Sequence, residues 1–288
     1  MTTRTSSARR CVEHCGRGSV RIYPPKHRMR ACHPVVAGLV SILGALSCRS
    51  ATPLLPSAPA PSPTRAVYDG VVSLRPDSGT IVASWSLRLA RRPGADSVVL
   101  LLNSSVTVAA LTGRDVARYD TQNDRGLAKL TVHLSPRSGA AETERRLQYA
   151  GALHFGEDGI NGLSPAWVEL GLDSFWFPVV ADLAHDARGR VRVVLPAGYR
   201  VISSGSQTQR GDTVEIVNTR ALPDFAFVAS RALKTTAQGQ ARTFDAGAAP
   251  EQIARMLATA AQCAGYLNTR YGARDPMVTA DLVMAPRT

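Results

Sequence analysis

Paired histidines, lysines, dispersed cysteines and long apolar runs are all scarce in this chain, and each scarcity removes a class of function. The six histidines are His14, His27, His33, His133, His154 and His185, and none has a second histidine four residues away. An H-E-x-x-H helix, which needs two imidazoles on one helix face, is therefore excluded within these 288 residues. Neither a G-x-S-x-G elbow nor a glycine loop that cradles phosphate occurs. Lysine appears only as Lys26, Lys129 and Lys234. Residues 1–48 carry 8 basic side chains against Glu13 alone, whereas the other 240 residues carry 26 basic and 21 acidic ones. The pI of about 10.2 thus comes largely from the N-terminal arm, with no basic run after Arg30, and this argues against a nucleic-acid partner.

Four of the five cysteines, Cys11, Cys15, Cys32 and Cys48, lie in the first 48 residues, and only Cys263 follows. A disulfide framework would spread them through the fold. The stretch CVEHC at 11–15 offers half a zinc set with no second half. Cys263 falls within a helical pattern and reads as a small buried residue.

What the N-terminus does hold is an ordered series. Residues 29–48, MRACHPVVAGLVSILGALSC, run from a basic start through an uncharged apolar stretch at Val35–Leu46 to small residues, the order of a secretory signal. The apolar stretch is too short for a membrane-spanning helix, which needs about 20 residues. Its end, Ala45-Leu46-Ser47-Cys48, resembles the lipobox of bacterial lipoproteins, which implies lipidation of Cys48 and makes Met29 a candidate start. The next segment, RSATPLLPSAPAPSPTRA, is rich in Pro, Ser and Ala and suits an extended tether. The expectation is export across the inner membrane and anchoring by lipid to a bacterial membrane, on the periplasmic or surface face.

From Val67 to about Leu233 the chain reads as short strands. TIVASWSLRLA at 80–90 puts Ile81, Ala83, Trp85, Leu87 and Leu89 on one face and polar residues on the other, the mark of an antiparallel strand wetted on one side. Further strands are expected at 97–103, 106–111, 127–134, 145–153, 190–196, 199–205, 212–219 and 224–230, giving a mainly β chain built as an antiparallel saddle or sandwich. The interval 155–178 collects the chemistry-like residues Glu157, Asp158, Trp167, Glu169, Asp173 and Trp176. Glu157 and Asp158 lack the spaced oxygen series of a calcium loop and read as a solvated turn. In SFWFP at 174–178 the aromatics cannot all face one way, and a core plug is favoured over a ligand platform. His133 and His154 read as hydrogen-bonded structural imidazoles, and the serines of 203–212 as turn residues.

The last fifty residues change character. AAPEQIARMLATAAQCAGYLNTRYG at 248–272 predicts a helix with Pro250 in its first turn and Gly272 as its stop, and a strand is expected at 277–284. A single helix cannot close a new core, so the face of Ile253, Met256, Leu257, Ala260, Ala264 and Leu267 is expected to lack part of its cover.

Taken together, LQYAGAL at 147–153, SFWFPVV at 174–180, RVVLPAGYRVISSG at 192–205, DFAFVAS at 224–230 and YLNTRYGARDPMVTADLVMAPR at 266–287 resemble the N-terminal part of the membrane-alanyl-type, or gluzincin, aminopeptidases. The resemblance covers residues 66–288. It implies a β-saddle N-domain at 66–235 and the start of an α/β, thermolysin-like domain at 236–288, preceded by the arm and signal at 1–48 and the tether at 49–65. For a full-length relative it implies zinc and the hydrolysis of an N-terminal peptide bond by metal-activated water. This chain carries neither the zinc nor the catalytic motifs, so a peptide substrate is expected only where a catalytic domain is supplied, and the chain alone is expected to be inactive. The family's Ala-Arg-x-x-Phe-Pro-Cys-x-Asp-Glu-Pro stretch stands here only as SFWFPVVADL, and no catalytic or metal residue is carried over; Cys48 is the one site residue assigned. The competing expectation is a non-enzymatic β-sandwich lipoprotein that binds a polysaccharide or protein.

Overall fold

The computed structural model describes residues 66–90, 94–135, 142–155, 161–183, 187–239, 241–271 and 280–286. Cys48, the signal and the tether, together with Glu157, Asp158 and His185, lie outside the described residues. In chain order the strands are β1 (Ala66–Arg75), β2 (Thr80–Ala90), β3 (Ser97–Asn103), β4 (Val106–Gly113), β5 (Val116–Asp124), β6 (Leu127–Leu134), β7 (Glu142–Ala152), β8 (Gly162–Leu163), β9 (Val168–Leu170), β10 (Val179–Val180), β11 (Ala187–Val194), β12 (Arg200–Ser203), β13 (Ser206–Arg210), β14 (Thr213–Leu222), β15 (Phe227–Ser230), β16 (Lys234–Gln238) and β17 (Ala241–Asp245). Helix α1 (Pro250–Tyr271) and strand β18 (Ala280–Met284) follow.

These strands make a mainly β architecture of four sheets. The largest has seven strands in the order β13-β14-β11-β1-β2-β7-β4 and is antiparallel except where β1 runs parallel to β11. A second sheet, β10-β3-β6-β5, packs its inner face against the first. The alternation read in TIVASWSLRLA is realised residue by residue: Ile81, Ala83, Trp85, Leu87 and Leu89 are all buried. Strand β7 repeats the device with Leu147 and Tyr149 inward. Each inward leucine or larger side chain contributes roughly 1.5–3 kcal/mol by leaving water.

Tyr68, Trp85, Trp176, Phe177, Phe225 and Phe227 form the centre of the core, with edge-to-face or tilted ring pairs whose centroids lie 5.4–6.2 Å apart. Such pairs add about 0.5–1.5 kcal/mol each beyond area burial. One glycine makes room for this cluster. Gly70 pairs with Trp85 across β1 and β2, and a Cβ there would fall 2.4 Å from the indole Cε3. Gly70→Ala is therefore expected to lose about 1–3 kcal/mol through overpacking, a shift in the urea midpoint; an unchanged midpoint would show that the indole can move aside freely.

The remaining sheets carry the chain toward its C-terminal segment. Sheet β12-β15-β9-β8 presents Trp167, Val228 and Leu233 to Phe244 of sheet β16-β17-β18. Helix α1 crosses from β17 to the parallel β18 and covers the other face, where Ala241, Leu257, Ala260 and Leu282 meet. The helix face is covered in part: Leu257, Ala260 and Ala264 are buried, while Ile253, Met256 and Leu267 are half-buried. Cys263, read as buried, is half-buried. No helix among the described residues is long and apolar enough to cross a membrane.

Candidate functional site

Among the cavities of the described surface, two bear on a candidate site. The larger, about 450 Å³, lies along the neighbouring edges of β4 and β5 and includes Leu111, Gly113, Val116 and Tyr119. The smaller, about 280 Å³, gathers more chemistry: His154 and Phe155 after β7, Asn161, Asp173 and Phe175 from the long interval, and Arg125 from the β5–β6 hairpin. Here residues of the 155–178 interval face polar groups from β3, the end of β7 and the β5–β6 hairpin across open space.

Its walls are fixed by Asn103, which is buried at the end of β3. The Asn103 amide donates to the carbonyls of His154 at 2.8 Å and Ser174 at 3.0 Å, and its backbone N–H donates to Phe175 O at 2.9 Å. The Asn103 side-chain oxygen accepts from the backbone N–H of Ser105 at 3.1 Å and from the Ser105 hydroxyl. Phe175 is held at φ 48°, an uncommon conformation for a bulky residue, at the end of a short 3-10 turn over Leu172–Ser174. Asn161 Oδ1 accepts from Gly171 N–H at 2.9 Å, which ties the start of the interval to that turn.

Most of the other residues singled out in the sequence prove structural. Trp176 is fully buried in the aromatic core, as the reading of SFWFP as a plug expects. Trp167 packs on Val228, Leu233 and Phe244, and its indole N–H donates to Glu169 Oε2 at 3.0 Å. His133 lies on the outer face of β6, 2.7 Å from Asp120 Oδ2, and Arg118 Nη1 donates to both oxygens of the same carboxylate. The Ser203 hydroxyl donates to the Gly205 carbonyl and Ser203 N–H to Gln207 Oε1, but the expected polar turn over 203–212 is corrected: Ser206–Arg210 form β13, paired along its length with β14.

Perturbed titrating groups do not converge on either cavity. The hydrogen bond from Arg190 holds the Asp69 carboxyl below its usual range, and that from Arg146 does the same for Glu144. Burial raises the Tyr149 and Tyr199 hydroxyls. All four sit in surface ion pairs or core packing, whereas a catalytic centre usually shows such shifts inside its cleft. Zinc takes three or four His, Cys, Asp or Glu ligands. Among the described residues no three such side chains come together. These described residues do not fit a zinc ion.

Comparison with known proteins gives a fold. No family profile matches the chain, and no curated protein matches it. Among solved structures, native yeast LTA4 hydrolase superposes with a TM-score of 0.54 at 13% identity, over 77% of this chain and 38% of that one. Yeast LTA4 hydrolase in complex with bestatin gives 0.52 at 12% identity, over 77% and 37%. An M1 zinc metallopeptidase from Deinococcus radiodurans is 20% identical over 65% of this chain and 48% of that one, with a TM-score of 0.43. At these identities the likeness shows the fold alone: the chain shares the architecture of the part of the yeast LTA4 hydrolase structures that it overlays. It spans less than half the length of each of these three structures.

Proposed function

We propose that this chain is the N-terminal portion of a membrane-anchored, zinc aminopeptidase-like lipoprotein whose metal ligands and general base lie outside these 288 residues. The observation that carries the reading is the fold likeness to the yeast LTA4 hydrolase structures, which takes in 77% of this chain but only 37–38% of theirs. The segment β17-α1-β18, which follows the β sheets, supports it: two parallel strands and a crossover helix begin an α/β pattern. In this reading the reacting groups come from the downstream domain. The purified chain with added zinc is then expected to hydrolyse an aminoacyl arylamide no faster than buffer. Turnover abolished by a chelator would assign the chemistry to this chain itself and overturn the reading.

The anchor rests on the Cys48 motif and the tether after it. In a bacterium that processes lipoproteins, wild type is expected in the membrane fraction and labelled by a fatty-acid probe, and Cys48→Ala in the soluble fraction and unlabelled. Equal labelling of the two would remove the anchor while leaving the fold reading intact. Attachment through two or three acyl chains gives firm binding, where a single chain is marginal.

A further inference from the structure

Asp115 sits in the connection that carries the chain from β4 in the seven-stranded sheet to β5 in the four-stranded one, and its side chain has 0% exposure. Facing it from the inner side of β7 are Thr143 and Arg145, and the Arg145 side chain also has 0% exposure. Arg145 Nη2 and the Thr143 hydroxyl both donate to Asp115 Oδ2. That leaves three buried polar atoms, Asp115 Oδ1, Arg145 Nε and Arg145 Nη1, with no hydrogen-bond partner among the described residues.

The backbone around them is fixed. Ser135 N–H donates to Asp115 O at 2.7 Å. Gly113 pairs with Arg145, and a Cβ there would meet Glu144 O at 3.0 Å and Arg145 Cγ at 3.2 Å. A buried ion pair whose remaining lone pair and N–H groups are unmet is unfavourable, and folded proteins almost always satisfy such groups.

The chemistry of the free atoms selects the ligand. An anion would meet the free Asp115 oxygen, and a cation would meet the Arg145 guanidinium, so a charged ligand is repelled by one partner or the other. What fits is a neutral molecule that accepts from N–H and donates to a carboxylate, small enough for a site sealed from solvent. We propose that the Asp115–Thr143–Arg145 cluster is a binding site for internal water, with at least one molecule linking a free Arg145 N–H to Asp115 Oδ1. Internal waters of this kind make about three hydrogen bonds and persist as part of the fold. The site borders the larger cavity, whose lining includes Gly113 and Val116 on either side of Asp115, and it is independent of the peptidase reading.

The test is a crystal structure of the full chain at a resolution that places ordered water, paired with solution NMR on the isotopically labelled chain. The expected density is a peak about 2.7–3.2 Å from Asp115 Oδ1 and from Arg145 Nε or Nη1. The expected NMR result is cross-relaxation between the Arg145 Nε–H and water with the sign of a long-lived bound molecule. In the paired variant Asp115→Leu with Arg145→Met the density peak should vanish while the fold persists. Density showing a protein carbonyl on the free N–H groups, or a dry cluster, overturns the proposal. So does water cross-relaxation of the fast, surface type.

Discussion

Replacing Trp85 with alanine is expected to remove about 3–5 kcal/mol of stability, a large share of the roughly 5–15 kcal/mol that holds a domain together. Trp85 is only 1% exposed and touches Tyr68, Trp176, Phe177 and Phe225 with ring centroids 6.1–6.2 Å away. Its indole N–H donates to the Tyr149 hydroxyl at 3.0 Å, and that hydroxyl donates onward to the Trp176 carbonyl. Burial raises the Tyr149 hydroxyl's pKa, so it remains a donor across the physiological range and the relay from β2 through β7 to the SFWFP segment stays intact. Truncation would open a cavity beneath Gly70 and break the first link. Trp85→Phe should recover much of the packing and none of the indole hydrogen bond. Guanidinium unfolding monitored by circular dichroism measures both; a loss below about 1 kcal/mol for the alanine variant would mean that the ring cluster is not the centre of the core.

A comparable loss, about 3–5 kcal/mol, is expected for Asp115→Ala. The reason is different. Here little apolar contact is lost, but the Arg145 guanidinium is left charged and without its carboxylate in a site of 0% exposure. The paired change Asp115→Leu with Arg145→Met should be far milder than the two single changes added together, because no uncompensated charge remains. Additive losses would show that the two side chains act independently and that the ion pair is not the unit holding the β4–β5 connection.

Much of the β architecture was legible from period-two alternation, and three of the strands that escaped share a physical cause. β2 and β7 announce themselves because one face is apolar and the other polar along their full length. β5, β13 and β16 carry no such pattern. Their residues are almost all exposed; each lies at an edge of its sheet, where polar side chains discourage association with other chains. The predicted helix at 248–272 matches Pro250–Tyr271 closely, and its apolar face is covered in part. β17, a strand the sequence did not flag, supplies Ala241 beneath Leu257 and Ala260.

The candidate site was less legible. Asp173 and His154 are separated in sequence and meet only because Asn103 draws the end of β7 and the 172–175 turn together. Arg145 left a signal that could have been used: it shares the inward phase of Thr143, Leu147 and Tyr149 in ETERRLQYA, and a charged residue on a core phase demands a partner. Asp115, that partner, lies thirty positions earlier, and only the crossing between sheets brings it near.

The central claim is that this fold is the N-terminal portion of a zinc aminopeptidase-like protein. It is tested most directly by isolating the native protein from detergent-solubilised whole cells with an antibody to residues 66–235 and mapping the polypeptide by mass spectrometry together with its metal content. The account predicts peptides that continue beyond Thr288 and include an H-E-x-x-H motif, with zinc bound in proportion to the protein. A native polypeptide that ends at Thr288, carries no zinc and has no such motif would contradict it.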